Sequence, residues 1–289
     1  MIPLVRSAFL RGFDEFLDRR GVNGAPLFYD FGIDPSTAND ESAELPANAV
    51  AAHMEAAASK SGDPCLGLNW ALSFPKGGSG IYGYLILNAH TLREALANAA
   101  RFGGLILHPT SANYAEVDHG GETIGVLSWR WPMDLAQPCL QYTSFLAALL
   151  TLRLRGSTIK PSDPISIQLQ GNEMNCTQLV HRIFGENVTF NAPMNSIVFD
   201  AESLNQPLPT ADPRLLLVIK GLGERMLAEL PQRGELVNQV RVAILRRLEF
   251  SDVSLEAIAN HLEMPARTLQ ARLAQQAETT FEAVLNEAR

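Results

Sequence analysis

The sequence predicts an α+β fold: an N-terminal domain of mixed helices and antiparallel sheet, followed by an all-α module of short helices. Three observations lead there. Between residues 113 and 199, short alternating segments occur in pairs joined by turn residues, which is how antiparallel strands read. Helical periodicity brackets and separates those pairs, so helices cover the sheet rather than alternate singly with its strands. After residue 205 the alternating pattern stops and only the 3.6-residue period remains.

From the N-terminus, Leu4, Ala8, Phe9, Phe13, Phe16 and Leu17 form a stripe that predicts a helix over residues 4–20, ended by Gly21-Val22-Asn23-Gly24. A short helix is expected over 26–31 and a longer one over 46–59, closed by the turn Ser61-Gly62-Asp63-Pro64. Thr91 and Glu94 have capping-box spacing and open a helix reaching residue 103, with Leu92, Ala95, Leu96 and Ala99 inward. Strands are expected at 113–117 and 123–131 around Gly120-Gly121, then a largely buried helix at 140–155. A strand at 165–170, a helix at 176–184 and a hairpin pairing 188–190 with 196–199 complete the domain. Asn205-Gln206-Pro207-Leu208-Pro209-Thr210-Ala211-Asp212-Pro213 has linker composition, a helix over 213–230 connects the parts, and Pro231-Gln232-Arg233-Gly234 punctuates it. The domains so defined are 1–204 and 235–289, with linker and connecting helix at 205–234.

The last module opens with a helix at 235–248 that turns Leu236, Val240, Ile244 and Leu248 inward and leaves Arg241, Arg246 and Arg247 for phosphates. Next, Leu255, Ile258, Ala259 and Leu262 make one apolar helix face, with Ser254 placed to cap it. Pro265 interrupts, because it lacks a donor and clashes with a continuing helix, yet it suits a new first turn. From Ala266 a second helix buries Leu269 and Leu273, while Arg267, Thr268 and Gln270 point elsewhere. Two short helices around a tight turn, the second presenting polar side chains, make a helix-turn-helix. An ordinary αα-hairpin has the same periodicity, and spacing alone leans towards it.

At 289 residues the chain is long enough for two cores, and 46% hydrophobic with 19% charged residues is ordinary globular composition. The net charge of −8 argues against a protein dominated by nucleic-acid contacts. Residues 233–289 carry seven arginines against eight acids, so even that module is near neutral. The longest strongly apolar run, 145–150, is far short of a membrane span, and the first residues lack a secretion-signal layout. No membrane partner is expected. Cys65, Cys139 and Cys176 are odd in number and lack metal spacing, so they are expected to be buried thiols in a reducing cytoplasm.

Gly78, Gly80 and Gly83 satisfy G-x-G-x-x-G, but a dinucleotide site needs a buried strand before it and an acid about 20 residues on. Phe74-Pro75-Lys76 precedes it and Asn98 stands at that distance, so a structural glycine-rich helix start is expected. The six histidines show no metal-binding spacing, and no nucleophile elbow, Walker loop or paired-carboxylate motif appears. The chain reads as non-enzymatic, without catalytic residue, metal or cofactor. For a small molecule, Arg6 and Arg11 near the N-terminus and Trp129-Arg130-Trp131 stand out. Arginine beside aromatics can hold an anionic or planar ligand. Singly, each has a plainer reading: a solvated basic face, or tryptophans that fill core.

Residues 255–262, Met264, Arg267-Thr268-Leu269-Gln270, Arg272-Leu273 and 281–289 resemble the first helix-turn-helix of the AraC/XylS family of transcriptional regulators. Gly62-Asp63-Pro64-Cys65-Leu66-Gly67-Leu68, residues 80–96 and residues 207–213 resemble the arabinose-binding-like effector domain that precedes it in some members. Glu263, Pro265-Ala266 and Ala271 depart from the family pattern at the turn, the second helix start and a DNA-facing position. The resemblance implies a second helix-turn-helix beyond residue 289, so a truncated chain is expected. It implies base contacts from Arg267 and Gln270, support from Thr268, and phosphate contacts from Arg272, Arg246 and Arg247. It also implies promoter DNA, a small-molecule effector and RNA polymerase as partners, with a homodimer allowed. For the effector, Arg6, Arg11, Arg130 and Trp131 suggest a small acidic molecule, and cyclic di-GMP is one family-supported candidate. The competing expectation is a small-molecule-binding or enzymatic domain whose helical tail makes only protein contacts.

Overall fold

A computed structural model describes residues 3–40, 43–75, 77–108, 110, 112–131, 139–156, 158, 162–230, 236–237, 239–241, 243–244, 253–262, 264–277 and 279–288. The chain forms two compact units, Ile2–Leu227 and Ala228–Arg289. The first therefore extends past the linker composition at 205–213, because the helix that follows packs back onto it.

Two sheets organise the first unit. The smaller has order β2-β1-β3, with β1 (Leu4–Arg6) antiparallel to both β2 (Glu44–Pro46) and β3 (Leu107–His108). The helix expected over 4–20 is thus wrong in its first half. Residues 4–6 are a strand, Ser7–Leu10 a 3-10 turn, and only Phe13–Asp18 is α-helical (α1). Gly12 breaks the run at φ 74°, a left-handed conformation that costs glycine little, and two strand partners distant in sequence capture Leu4–Arg6. The apolar spacing was real: Phe9, Phe13, Phe16 and Leu17 are all buried.

The larger sheet has order β4-β5-β8-β6-β7: β4 (Asn113–His119), β5 (Glu122–Trp129), β6 (Ser166–Gln168), β7 (Val188–Thr189) and β8 (Asn195–Asp200). β4 and β5 form the expected hairpin, with Gly120 and Gly121 at φ 66° and 87° in a two-residue turn. The expected hairpin of 188–190 with 196–199 does not form. β6 inserts between them, pairing antiparallel with β8 and parallel with β7. Every residue of β8 from Asn195 to Phe199 is buried, so this strand needs partners on both edges.

Helices α2 (Gly24–Asp30), α3 (Ala47–Ser61), α4 (Leu66–Ser73), α5 (Gly80–Leu87), α6 (Leu92–Arg101), α7 (Leu140–Arg155), α8 (Thr177–Phe184), α9 (Ala201–Leu204) and α10 (Pro213–Glu229) surround the sheets. α7 coincides with its expected span. α4 lies close against it: a Cβ at Gly67 would collide with the Gln141 carbonyl, and Gly67 N–H donates to Gln141 Oε1 at 2.8 Å. Thr91 Oγ1 accepts from Glu94 N–H at 3.3 Å, the expected cap of α6.

Cys65 and Cys176, one at the start of α4 and the other at the start of α8, form a disulfide with Cα atoms 6.3 Å apart. This corrects the expectation of three thiols; only Cys139 is free. Separated by 111 positions, the pair shows no spacing signal, and only the tertiary structure, in which α4 and α8 both pack on α7, reveals it. Nearby in the core, His53 is fully buried among Phe13, Phe28 and Phe31, and neither ring nitrogen has a hydrogen-bond partner among the described residues. Burial, helped by the positive charge of Lys60, lowers its pKa to about 4, so the imidazole is neutral.

The second unit has its own small core of Leu236, Val240, Ala243, Ile244, Ile258, Ala259, Leu269, Leu273, Phe281 and Val284. Its described helices are α11 (Leu255–His261), α12 (Ala266–Ala277) and α13 (Phe281–Ala288). Ser254 Oγ accepts from Ala257 N–H at 3.2 Å, as its position before α11 led one to expect. Among the described residues, no helix is long and apolar enough to cross a membrane.

Candidate functional site

The first unit contains a cavity of about 330 Å³, at the small end of the usual range for ligand pockets. Three helices, strand β5 and the 3-10 turn after β1 enclose it. α7 supplies Leu146, Leu149, Leu150 and Arg153, at i, i+3, i+4 and i+7 on one face. α5 contributes Tyr82, Gly83, Tyr84, Ile86 and Leu87, and α6 contributes Ala99. Leu127 and Trp129 come from β5, Trp131 from just beyond it, and Phe9 from the 3-10 turn.

Depth and polarity run together along this cavity. Phe9, Leu107, Leu127, Leu149 and Trp131 are buried, whereas Gly77 and Tyr84 are exposed and mark the rim. Arg153 is the one charged side chain among the described lining residues. Its Nη2 donates to Pro75 O at 2.8 Å and Phe74 O at 3.4 Å, which fixes it beside the segment leading to that rim. Partial burial lowers its pKa, yet a guanidinium remains charged at any working pH. Tyr82 O–H donates to Ala99 O at 3.3 Å, and burial raises its pKa, so it is neutral. The indole N–H of Trp131 is buried and has no hydrogen-bond partner among the described residues.

The expected G-x-G-x-x-G helix start is structural and also shapes this wall. Gly77 and Gly83 line the cavity, while Gly78 lies where a Cβ would press on the Phe74 ring. Of the expected effector residues, only Trp131 lines the cavity. Trp129 lines it as well, and Arg130 between them is exposed, as strand alternation requires. Arg6 lies on β1 and pairs with Glu44 at 3.5 Å, and Arg11 is half-buried in the turn before α1. The structure does not bring Arg6, Arg11 and Arg130 together around this space. Arg153 was missed, although its place in the Leu146, Leu149, Leu150 stripe was a readable sign.

The wall formed by α6 is tied on its other side to α10. Lys220 Nζ lies 2.7 Å from Glu94 Oε1, Arg101 Nε lies 2.6 Å from Glu224 Oε1, and Gly223 sits against Phe102. Burial pushes the Glu94 carboxyl up, but the His90 backbone N–H, Lys220 and the His90 ring together outweigh it. The Glu94 pKa falls to about 2.

In the second unit, Arg267 and Gln270 are exposed on α12 together with Ala271 and Ala274, opposite the buried Leu269 and Leu273. Thr268 is half-buried at the edge of this strip, and Arg272 is exposed beside the core stripe. Arg246 and Arg247 lie outside the described residues.

Two comparisons with other proteins run over nearly the whole chain. The HTH-type transcriptional regulator Rv1395 of Mycobacterium tuberculosis is 26% identical over 291 residues, covering 95% of this chain and 80% of that protein. VirS, an HTH-type transcriptional regulator of the same species, is 24% identical over 277 residues, covering 94% and 78%. The crystal structure of the transcriptional regulator CdpR from Pseudomonas aeruginosa aligns with 94% of this chain and 82% of its own, at 19% identity and a TM-score of 0.48. Residues 21–208 match the family described as the arabinose-binding domain of AraC transcription regulators, N-terminal. That match takes in most of the cavity wall and well over half of the sequence, and the chain belongs to this family of AraC transcription regulators.

Proposed function

We propose that this protein is a ligand-responsive, DNA-binding transcription regulator whose effector occupies the cavity between α5, α7 and β5. The observation that carries the reading is the cavity itself, a concave, mostly apolar space with few polar groups in a regulator's N-terminal domain. Its α6 wall is clamped to α10 by two ion pairs and a glycine contact. A ligand that favours one position of α6 would therefore bias α10, the last helix of this unit. DNA recognition falls to α12, with Arg267 and Gln270 reaching base edges, Thr268 supporting them and Arg272 on a phosphate. Arg246 and Arg247 keep their sequence-based assignment to phosphates, and a homodimer and contact with RNA polymerase complete this reading.

Two experiments test it. Native mass spectrometry should find a small molecule leaving the wild-type chain that is absent from Leu150→Trp, in which an indole fills the cavity. Equal ligand content in both would remove the cavity from the reading. Selection from a random duplex DNA pool should enrich one motif, and Arg267→Ala should weaken binding to it by roughly 1–3 kcal/mol while sparing random DNA. No enriched motif would count against the DNA-binding half.

A further inference from the structure

We propose that the groove between α8 and the outer edge of β7 binds an extended peptide of a partner protein, which adds a strand to the larger sheet. The peptide carries a bulky aliphatic side chain close to a lysine or arginine. β7 is an edge strand, at one end of the order β4-β5-β8-β6-β7. Its pairing with β6 uses the carbonyls of Asn187 and Thr189, which accept from Ile167 N–H and Leu169 N–H at 2.9 Å each. Strand alternation therefore turns the Val188 carbonyl and the Phe190 N–H the other way, out of the sheet. The Phe190 N–H has no hydrogen-bond partner among the described residues. Asn191, at φ 56°, then turns the chain, and its N–H donates to Gly171 O at 2.7 Å. What remains open is an edge long enough for two ladder hydrogen bonds.

The helix opposite makes that edge one wall of a groove. α8 and β7 border a space of about 320 Å³ that shares no residue with the effector cavity. Met174 and Val180 are its buried members, Val188 and Phe190 are half-buried, and Glu173 and Thr177 are exposed. α8 is held at both ends. The Cys65–Cys176 bridge fixes its start, and Arg155 Nη1 donates to Arg182 O at 3.0 Å near its other end. The groove is thus formed before a peptide arrives, which lowers the cost of ordering it. The other edge of the sheet shows the contrast. β4 carries Glu116 and Asp118, both exposed, and such charges blunt pairing along an edge. β7 carries only Val188 and Thr189. An extended segment supplies what this surface lacks: its backbone pairs with Val188 and Phe190, and its alternate side chains face α8. A leucine, isoleucine or methionine would cover Met174 and Val180. Glu173 is the one Asp, Glu, Lys or Arg among the described lining residues, which favours a basic residue beside the aliphatic one.

The test is selection of random phage-displayed decapeptides against the full chain, followed by an N-methyl scan of the enriched sequence. That sequence should carry a bulky aliphatic residue within two positions of a lysine or arginine. Methylating a peptide amide that faces β7 should weaken binding about tenfold, close to the worth of one hydrogen bond, while methylating the alternate amides leaves it unchanged. Amide exchange at Phe190 should slow when the peptide is bound. Thr177→Trp, which puts an indole at the exposed rim, should block binding, and Glu173→Lys should turn the selected charge from basic to acidic. No enriched sequence overturns the proposal, as does one that binds Thr177→Trp equally well or whose methyl scan shows no alternation. A Phe190 amide already protected in a dimer of the free chain would place a second copy on this edge and overturn it too. The methyl scan uses wild type alone, so it decides the matter even where a variant does not fold.

Discussion

The two compact units build their candidate functional surfaces by opposite means. In Ala228–Arg289, Arg267 and Gln270 are presented by helix phase alone, since burying Leu269 and Leu273 leaves them on the other side of α12. In Ile2–Leu227, the cavity is assembled from parts as distant as Phe9, Tyr82, Leu127 and Arg153, and no local period announces their meeting. A site carried on one helix survives if that helix forms. A site enclosed by many elements depends on long-range closure, and its polar groups pay more for any misfit.

Breaking long-range closure should have the largest effect, and only on the first unit. The Cys65–Cys176 bridge closes a stretch of 111 positions, which in the chain-entropy account contributes about 5 kcal/mol. Urea unfolding with and without a reductant should show a loss of that order, while amide protection in 255–288 stays as it was. A loss below about 1 kcal/mol would mean that packing on α7 alone holds the starts of α4 and α8 in place. The converse is Leu269→Ala. It removes a fully buried side chain from a core with ten buried members among the described residues and should cost the second unit roughly 3 kcal/mol. Amide protection in 255–288 should collapse while the urea midpoint of the first unit stays as it was.

Acid should separate the units more gently. His53 has a folded pKa of about 4, below the ordinary value of 6.5, so its contribution is complete above pH 6.5 and declines as pH falls towards 4. The unfolded chain takes up the proton first. Between pH 7.5 and 5 the first unit should lose about 2 kcal/mol from this group, and His53→Leu should remove that part of the decline. Parallel pH profiles for wild type and variant would show that the ring is hydrated after all. Smallest is Tyr142→Phe. The Tyr142 hydroxyl is fully buried without a partner among the described residues, and its loss should raise stability by about 1 kcal/mol, read as a shift in the urea midpoint. A loss instead would reveal an acceptor for that hydroxyl.

Legibility followed the same division. α7, α3, the β4–β5 hairpin and the α11–α12 pair stand within a residue or two of where period, caps and turn glycines put them. Local rules fail where a distant partner overrides them. Leu4–Arg6 became a strand because β2 and β3 flank it, and β7 left its expected hairpin because β6 took the place beside β8. The arginines chosen from sequence were chosen for company along the chain. Arg6 found Glu44 instead, and the cation facing the cavity is Arg153.

By itself the sequence determined most of the longer helices, the caps of α6 and α11, the apolar faces of those helices, and the presence of a helical module at the end. These depend on side chains within four or five positions of each other, where hydrogen-bond geometry and periodicity act directly. The tertiary structure alone decided the strand order, the Cys65–Cys176 bridge and the cavity with Arg153 near its rim. All three join residues far apart in the chain. Which of the many apolar stripes meet, and what space they leave, depends on packing the whole unit at once.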